Sequence, residues 1–415
     1  MLRQQKKKIL INLLLEEIEE EEIIIEEVMT KSVNDLYLTR KKEGFFSVLI
    51  EKHLFRDEKK FREFFRLSWE QFNFVLNLIE DDLKLNPYNR VKEPISPAEK
   101  FAVTLRFMAT GESFHSLAFA FRISQSYISR IVKLVLKSLS NRLTPILLPT
   151  PTKDDMVEIS KQFWKKWNFP NCVGAIDGKH IRIFSPEKSG SLYYNYKDFF
   201  SIVLLAIVDA NCKFILVDIG SYGKESDSGI FNKSKMSEQM KNCEYFPPNC
   251  KIPNSEKILP YVYIGDEAFR LDPHMMRPYS KIESRNDCEK KIFNYRLSRA
   301  RRTTENSFGL LSQVFRVFYT PIPIKPETVD HLILSACCLH NLLRDQYTLE
   351  NTSEQHYYNF DPNDYPANNM VQLEHTGGYG NYEGFLVRDE FKQFFNSPQG
   401  TVPWQNYHTL RTDTS

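Results

Sequence analysis

Residues 173–183 read Val-Gly-Ala-Ile-Asp177-Gly178-Lys179-His180-Ile-Arg-Ile. The apolar run and its glycines predict a strand with one carboxylate inside it. An acid in that position is costly to bury unless it is paired or binds a cation. From Cys172 onward the texture is one of short apolar runs bounded by turn residues, at 201–208, 214–217 and 261–264. Helical patterns follow over about 287–317 and 326–343. Strands first, then helices, predict an α/β or α+β core.

Upstream of that strand the pattern is helical. Phe61, Phe64, Phe65, Phe72, Val75, Leu76 and Ile79 fall at spacings that make one buried face across two helices. Residues 84–96 read as a linker, and Pro145, Pro149 and Pro151 make 141–170 read as a connection. Between these lies a helical region, 97–140. Ser96-Pro97-Ala98-Glu99 is a helix start, with Ser96 as cap, Pro97 in the first turn and Glu99 placed to close a capping box. A short helix from Ser113, a turn at Arg122-Ile123-Ser124 and a further helix give a helix-turn-helix layout. This region holds six Lys or Arg against two Glu, a balance that suits DNA. In that reading Gln125, Ser126, Tyr127 and Ser129 face the groove, while Arg130 and Lys133 face phosphate. A three-helix bundle with a basic exterior fits the same residues.

The 415 residues are 42% hydrophobic and 13% aromatic, which excludes wholesale disorder. Lys plus Arg is 55 against 53 Asp plus Glu, so the net charge of +2 names no partner. The seven cysteines are odd in number and none has C-x-x-C spacing, which argues against a disulfide framework or a zinc ribbon. The apolar run after Lys6-Lys7-Lys8 stops at Glu16 with no small-residue cleavage site. No stretch reaches the ~18 apolar residues of a membrane span. The expectation is a soluble intracellular protein that does not engage a membrane. Residues 1–44 read as a charged, low-complexity tail with eight Glu between Glu16 and Glu27. Residues 351–385 carry five acids and no Lys or Arg, and read as a loose loop before a short helix at 389–395.

Three acids sit where chemistry could use them. Asp177 lies within its strand, and Asp266 ends Tyr261-Val-Tyr-Ile-Gly265-Asp266. Glu305 borders the buried face of a helix marked by Leu297, Thr304, Phe308, Leu311 and Phe315. Singly, the aspartates could cap turns and Glu305 could pair with Arg301 or Arg302. Together, two strand acids and a helix acid can hold two divalent cations ~3.5–4 Å apart, a pair suited to phosphodiester cleavage. All-oxygen ligands favour Mg²⁺ or Mn²⁺. Residues 287–302 add six Lys or Arg, among them Arg299, Arg301 and Arg302, against two acids. Beside a metal site that run makes a DNA-backbone groove; otherwise it is a solvated face.

Six blocks in order, GAIDGKHI (174–181), NYKDFFSIVLLAIVD (195–209), DIGSYGKESDSGIF (218–231), YIGDEAFRL (263–271), NYRLSRARRTTENSFG (294–309) and CCLHNLLR (337–344), resemble the PIF/Harbinger superfamily of DDE transposases and the nucleases derived from them. TGESFHSLAFAFRISQSYISRIV (110–132) resembles the family's helix-turn-helix, and VPWQ (402–405) is similar too. The resemblance spans roughly residues 60–410. It implies a ribonuclease-H-like mixed sheet with flanking helices, preceded by the helix-turn-helix region. It implies an Asp-Asp-Glu triad at Asp177, Asp266 and Glu305, holding Mg²⁺ or Mn²⁺ in a two-metal site. The implied activity is metal-dependent hydrolysis of DNA, with or without strand transfer. Asp227 matches a further acidic block, as an outer-shell acid or a turn residue. The family also implies a separate Myb-like DNA-binding partner and a place in the nucleus as well as the cytoplasm; a homo-oligomer stays open. Lys179 in the DGxH block and Thr304 before the glutamate are the departures. The division that results is a tail at 1–44, a helical region at 45–150 with its DNA-binding motif at 97–140, a nuclease domain at 151–345 and an extension at 346–415. The alternative is a domesticated DNA- or chromatin-binding protein without catalysis.

Overall fold

A computed structural model describes residues 35–410, apart from 85–93, 188, 223–228, 230, 232–233, 242–243, 351–368 and 373–379. Most of the expected tail and acidic loop, and Asp227, lie outside the described residues.

The early helices begin where their caps dictate. Helix α1 (Glu58–Phe65) starts at Asp57, whose carboxylate accepts from the Lys60 amide at 3.0 Å. Helix α2 (Trp69–Leu83) has a full capping box between Ser68 and Gln71. Helix α3 (Pro97–Thr110) starts at Ser96 and ends at Gly111 with φ 71°, a left-handed C-cap. The Ser96 hydroxyl accepts from the Glu99 amide at 3.1 Å. The reciprocal half of that box is missing, because the Glu99 carboxylate pairs with Arg40 instead. Residues 35–44 therefore dock on the helical region, with Glu43 also 2.7 Å from Arg122. Helices α4 (Phe114–Phe121) and α5 (Gln125–Leu147) follow, separated by a turn at Arg122 with φ 55°.

The connection expected over 141–170 is mostly helix. Helix α5 runs through Pro145 in its last turn, and α6 (Lys153–Trp167) starts on a Thr152–Asp155 capping box.

Strands β1 (Cys172–Arg182), β2 (Ser201–Val208) and β3 (Phe214–Tyr222) form an antiparallel meander. Helix α7 (Lys235–Lys241) and a small hairpin, β4 (Cys250–Lys251) with β5 (Ile258–Leu259), come next. Then β6 (Val262–Ile264) pairs parallel to the first half of β1, and β7 (Met275–Met276) pairs parallel to β6. The order β3-β2-β1-β6-β7 makes a mixed sheet within an α/β fold. Helices α8 (Cys288–Val314) and α9 (Pro326–Glu350) follow.

Beyond β6 the edge of β1 has ladder groups to satisfy. A short strand, β8 (Met370–Gln372), takes them antiparallel at Lys179, His180 and Ile181. These three residues fall in the stretch expected to be a loose loop. The expected helix at 389–395 is longer, starting at Tyr382 on an Asn381 cap (α10, Tyr382–Asn396), and α11 (Gln405–Leu410) closes the described chain.

The sheet divides the core by strand alternation. One face, with Ala175, Ile181, Leu204, Ala206 and Val208, joins a cluster that runs through α8, α9 and α5 to Phe72 and Phe65. The other face, with Val173, Ile176, Val203, Leu205 and Ile207, packs on Phe231, Phe246 and Phe269. Among the described residues no helix is long and apolar enough to cross a membrane, and the six described cysteines are free thiols.

Candidate active site

Asp177 lies midway along β1, just past the last residue paired with β6 (Ala175 with Ile264) and just before the first paired with β8 (Lys179 with Gln372). Asp266 lies two residues past Ile264 on β6. The two carboxylates thus sit at neighbouring places on adjacent parallel strands. The intervening glycine is what allows the approach. A Cβ on Gly265 would lie 2.7 Å from the Phe269 ring and 3.0 Å from Ile176 Cγ2. Gly265 and Ile176 share one face, so Asp266 and Asp177 come to the other, the face that α8 covers.

Both aspartates are buried. Asp177 Oδ1 accepts from the Gln372 side-chain amide at 2.9 Å. Its Oδ2 accepts no hydrogen bond and faces the Lys179 ammonium at 3.2 Å. Lys179, on the same face of β1, also donates to Gln372 Oε1 and lies 5.6 Å from the centre of the Phe308 ring on α8. Asp266 Oδ1 accepts from the Ala268 amide at 3.0 Å, which fixes the turn after β6.

Glu305 lies on α8 one turn before Phe308, and is exposed. The helix does bring it to the aspartates' side of the sheet, but not into one cluster with them. Among the described residues no three His, Cys, Asp or Glu side chains gather closely enough to hold a metal ion. The donor chemistry of the two aspartates fits a hard divalent cation, since both offer carboxylate oxygen and Asp177 Oδ2 is buried and accepts no hydrogen bond.

The remaining expected residues divide by exposure. Gln125, Ser126 and Ser129 are exposed at the start of α5, as is Lys133 one turn on. Arg130 is half-buried, and Tyr127 packs against the core, where burial raises its phenol pKa. On α8, Arg302 is exposed and Arg301 half-buried. Arg299 donates to Asn168 Oδ1 at 2.7 Å and lies over the Trp404 ring. Arg296, counted in the basic run, is fully buried and is not available to phosphate. Gln372 was not foreseen; nothing in its sequence surroundings marks it, and it lies 195 residues from Asp177.

Comparison with known proteins matches residues 176–341 to the family model described as DDE superfamily endonuclease. The ALP1-like protein of Arabidopsis thaliana is 30% identical over 319 residues, covering 73% of this chain and 76% of its own. The Arabidopsis protein named antagonist of like heterochromatin protein 1 is 26% identical, covering 70% and 74%. The candidate nuclease HARBI1 of Homo sapiens is 24% identical, covering 60% and 67%. No solved structure gives a significant match.

Proposed function

The chain belongs to the DDE superfamily endonuclease family, among the ALP1-like and harbinger transposase-derived proteins, and from that premise we propose that it is a metal-dependent DNA nuclease of PIF/Harbinger type. The observation that carries the reading is the pair of buried aspartates, one on β1 and one just past the end of the adjacent parallel strand β6, with Asp177 Oδ2 buried and accepting no hydrogen bond. The strand order, three antiparallel strands followed by parallel β6 and β7, supports a ribonuclease-H-like core. Asp177 and Asp266 would hold Mg²⁺ or Mn²⁺ from the sheet, and Glu305 would complete the set from α8. Such cations supply the activated water and steady the leaving oxygen of a phosphodiester. Gly265 keeps the two strands close enough for both aspartates to serve one site. Arg302 offers a charge to the backbone of the bound strand.

DNA is held, in this reading, by the helical region. Ser124 caps α5 directly after the turn from α4, so Gln125, Ser126 and Ser129 stand at the exposed start of a helix with Lys133 behind them. Arg130 and Lys133 would contact phosphate. A Myb-like partner and work in the nucleus belong to the same proposal.

The test is nicking of DNA with Mg²⁺ or Mn²⁺, with and without a Myb-like partner, and Ca²⁺ as a non-supporting control. Asp177→Asn, Asp266→Asn and Glu305→Gln should each lower nicking by roughly 10³-fold or more, and double variants should be little worse than singles. Cleavage that survives Glu305→Gln would show that another acid is the third ligand. The second reading is a non-catalytic chromatin or DNA binder, which the exposed Glu305 and the Lys179–Asp177 ion pair favour. Wild-type protein that binds DNA and never cuts it would support that reading.

A further inference from the structure

Resting on the metal-site reading above, we propose that β8 is a displaceable strap. In it Gln372, with Lys179, occupies the Asp177 carboxylate in place of a divalent cation and so governs metal loading. Both oxygens of Asp177 are engaged. The Gln372 amide donates to Oδ1 at 2.9 Å, and the Lys179 ammonium stands 3.2 Å from Oδ2. Gln372 also accepts from Lys179 through Oε1, so the lysine, the amide and the carboxylate form a closed ring of contacts. Mg²⁺ binds carboxylate oxygen at about 2.0–2.1 Å, so an ion on Oδ1 or on Oδ2 takes the place where the amide or the ammonium now stands. A divalent ion must therefore expel at least one of them, and it meets the lysine's positive charge in doing so.

The strap is built to let go. It is three residues long and pairs only with the end of β1 that β6 leaves uncovered. Val371 and Gln372 are only half-buried. A segment with so few bonds opens at low cost relative to the body of the sheet. It is also anchored at both ends in a way that sets its register. Asn369 donates its backbone amide to the Phe318 carbonyl at 3.1 Å. At the other end the Gln372 carbonyl accepts from Lys197 at 2.7 Å and from the Tyr196 hydroxyl at 3.3 Å. Tyr196 and Lys197 are exposed, so a ligand that takes up either one removes a tether of the strap.

The full-length chain is titrated with Mn²⁺ by calorimetry, and hydrogen exchange is followed at residues 369–372 with and without the ion. Gln372→Ala and Lys179→Met should each tighten Mn²⁺ binding, by roughly tenfold, the scale of one lost charge-assisted hydrogen bond. In wild-type protein Mn²⁺ should lower the protection of the β8 amides. Asp177→Asn should abolish the binding, which ties the signal to this site. Gln372→Asn, which keeps an amide but shortens its reach, guards against a folding defect and should tighten binding by a smaller factor. Variants that bind Mn²⁺ no better than wild type, or β8 amides that stay protected with the ion bound, would overturn the strap while leaving the metal site standing. Folded wild-type and variant proteins that all fail to bind Mn²⁺ would overturn the metal site, and the strap with it.

Discussion

A buried ionisable side chain declares its partner, or the lack of one, in how its charge state responds to folding. His340 on α9 is fully enclosed, with Nε2 2.7 Å from the Cys212 carbonyl and the Phe214 ring edge-on to it. Burial, with smaller pushes from Arg344 and Lys213, takes its pKa from the ordinary 6.5 to about 4. The unfolded chain then takes up a proton between those values that the folded chain refuses. Stability is complete above about pH 6.5 and is lost as pH falls toward about 4, with a slope of up to about 1.4 kcal/mol per pH unit for this one group. His340→Gln retains a donor for the carbonyl and removes the titration. Urea unfolding between pH 7.5 and 4.5 should show a flatter acid limb in the variant by up to one proton. Some slope should remain, because burial holds His180 down at about 4 as well. Equal slopes would place the proton uptake elsewhere. At this scale the sequence could present Asp177 as an acid inside an apolar run, because burial cost follows from residue type and pattern. It could not present Gln372, because an amide acquires its meaning only from the carboxylate that the fold brings to it.

Single elements carry the same lesson in their lengths and faces. The helix that starts at Ser96 was legible from its cap, since that hydroxyl satisfies an amide that any helix leaves open, whereas the helix on the Thr152 cap was not, because Pro145, Pro149 and Pro151 made its surroundings read as a connection. The two- and three-residue strands β7 and β8 were not, because what holds them is the open ladder of the neighbouring strand and not their own pattern. Helix α8 shows the limit for charge runs. Its six basic residues between 287 and 302 read alike, yet Arg296 points inward. The Arg296 guanidinium donates to the Gly400 carbonyl at 3.0 Å, to Gln405 Oε1 at 2.9 Å and to the Asn168 carbonyl, and it lies over the Phe395 ring. Burial lowers its pKa to about 10, so it stays charged at neutral pH. It ties the C-terminal segment to α8 and to the end of α6. Arg296→Met keeps the bulk and strands those acceptors, which should cost roughly 3 kcal/mol. The measurement is chemical unfolding together with limited proteolysis beyond residue 396. Unchanged stability and unchanged cleavage would show that the C-terminal segment docks without this anchor.

Among the described residues, the helical region and the sheet are joined most extensively along one helix pair. Leu136, Ser140, Thr144 and Leu147 follow helical spacing along α5, and His331, Ser335 and Cys338 do so along α9. The two stripes meet: Ser140 Oγ is 2.8 Å from His331 Nδ1, Ser335 donates to the Leu136 carbonyl at 3.2 Å, and Asn341 donates to the Leu147 carbonyl at 2.8 Å. Around this seam the apolar cluster runs unbroken from Phe46 in the helical region to Phe395 after the sheet. Helix α9 in turn lies on β3, so the proposed DNA-binding helix α5 and the sheet that carries the aspartates share a single packed interior. Close-packed cores lose their contacts together, and elements that share one unfold as a unit. Calorimetry on the full chain should therefore give a single transition with a van't Hoff enthalpy close to the calorimetric one. A fragment of residues 151–415, which leaves the α9 stripe without α5, should show no cooperative melting and should expose apolar surface to a hydrophobic dye. Two resolved transitions in the full chain, or a cooperative melt of the fragment alone, would mean that the helical region and the sheet are independent bodies. In that case the α5–α9 seam would be a docking contact, and movement of α5 on binding DNA would not be felt at Asp177 and Asp266.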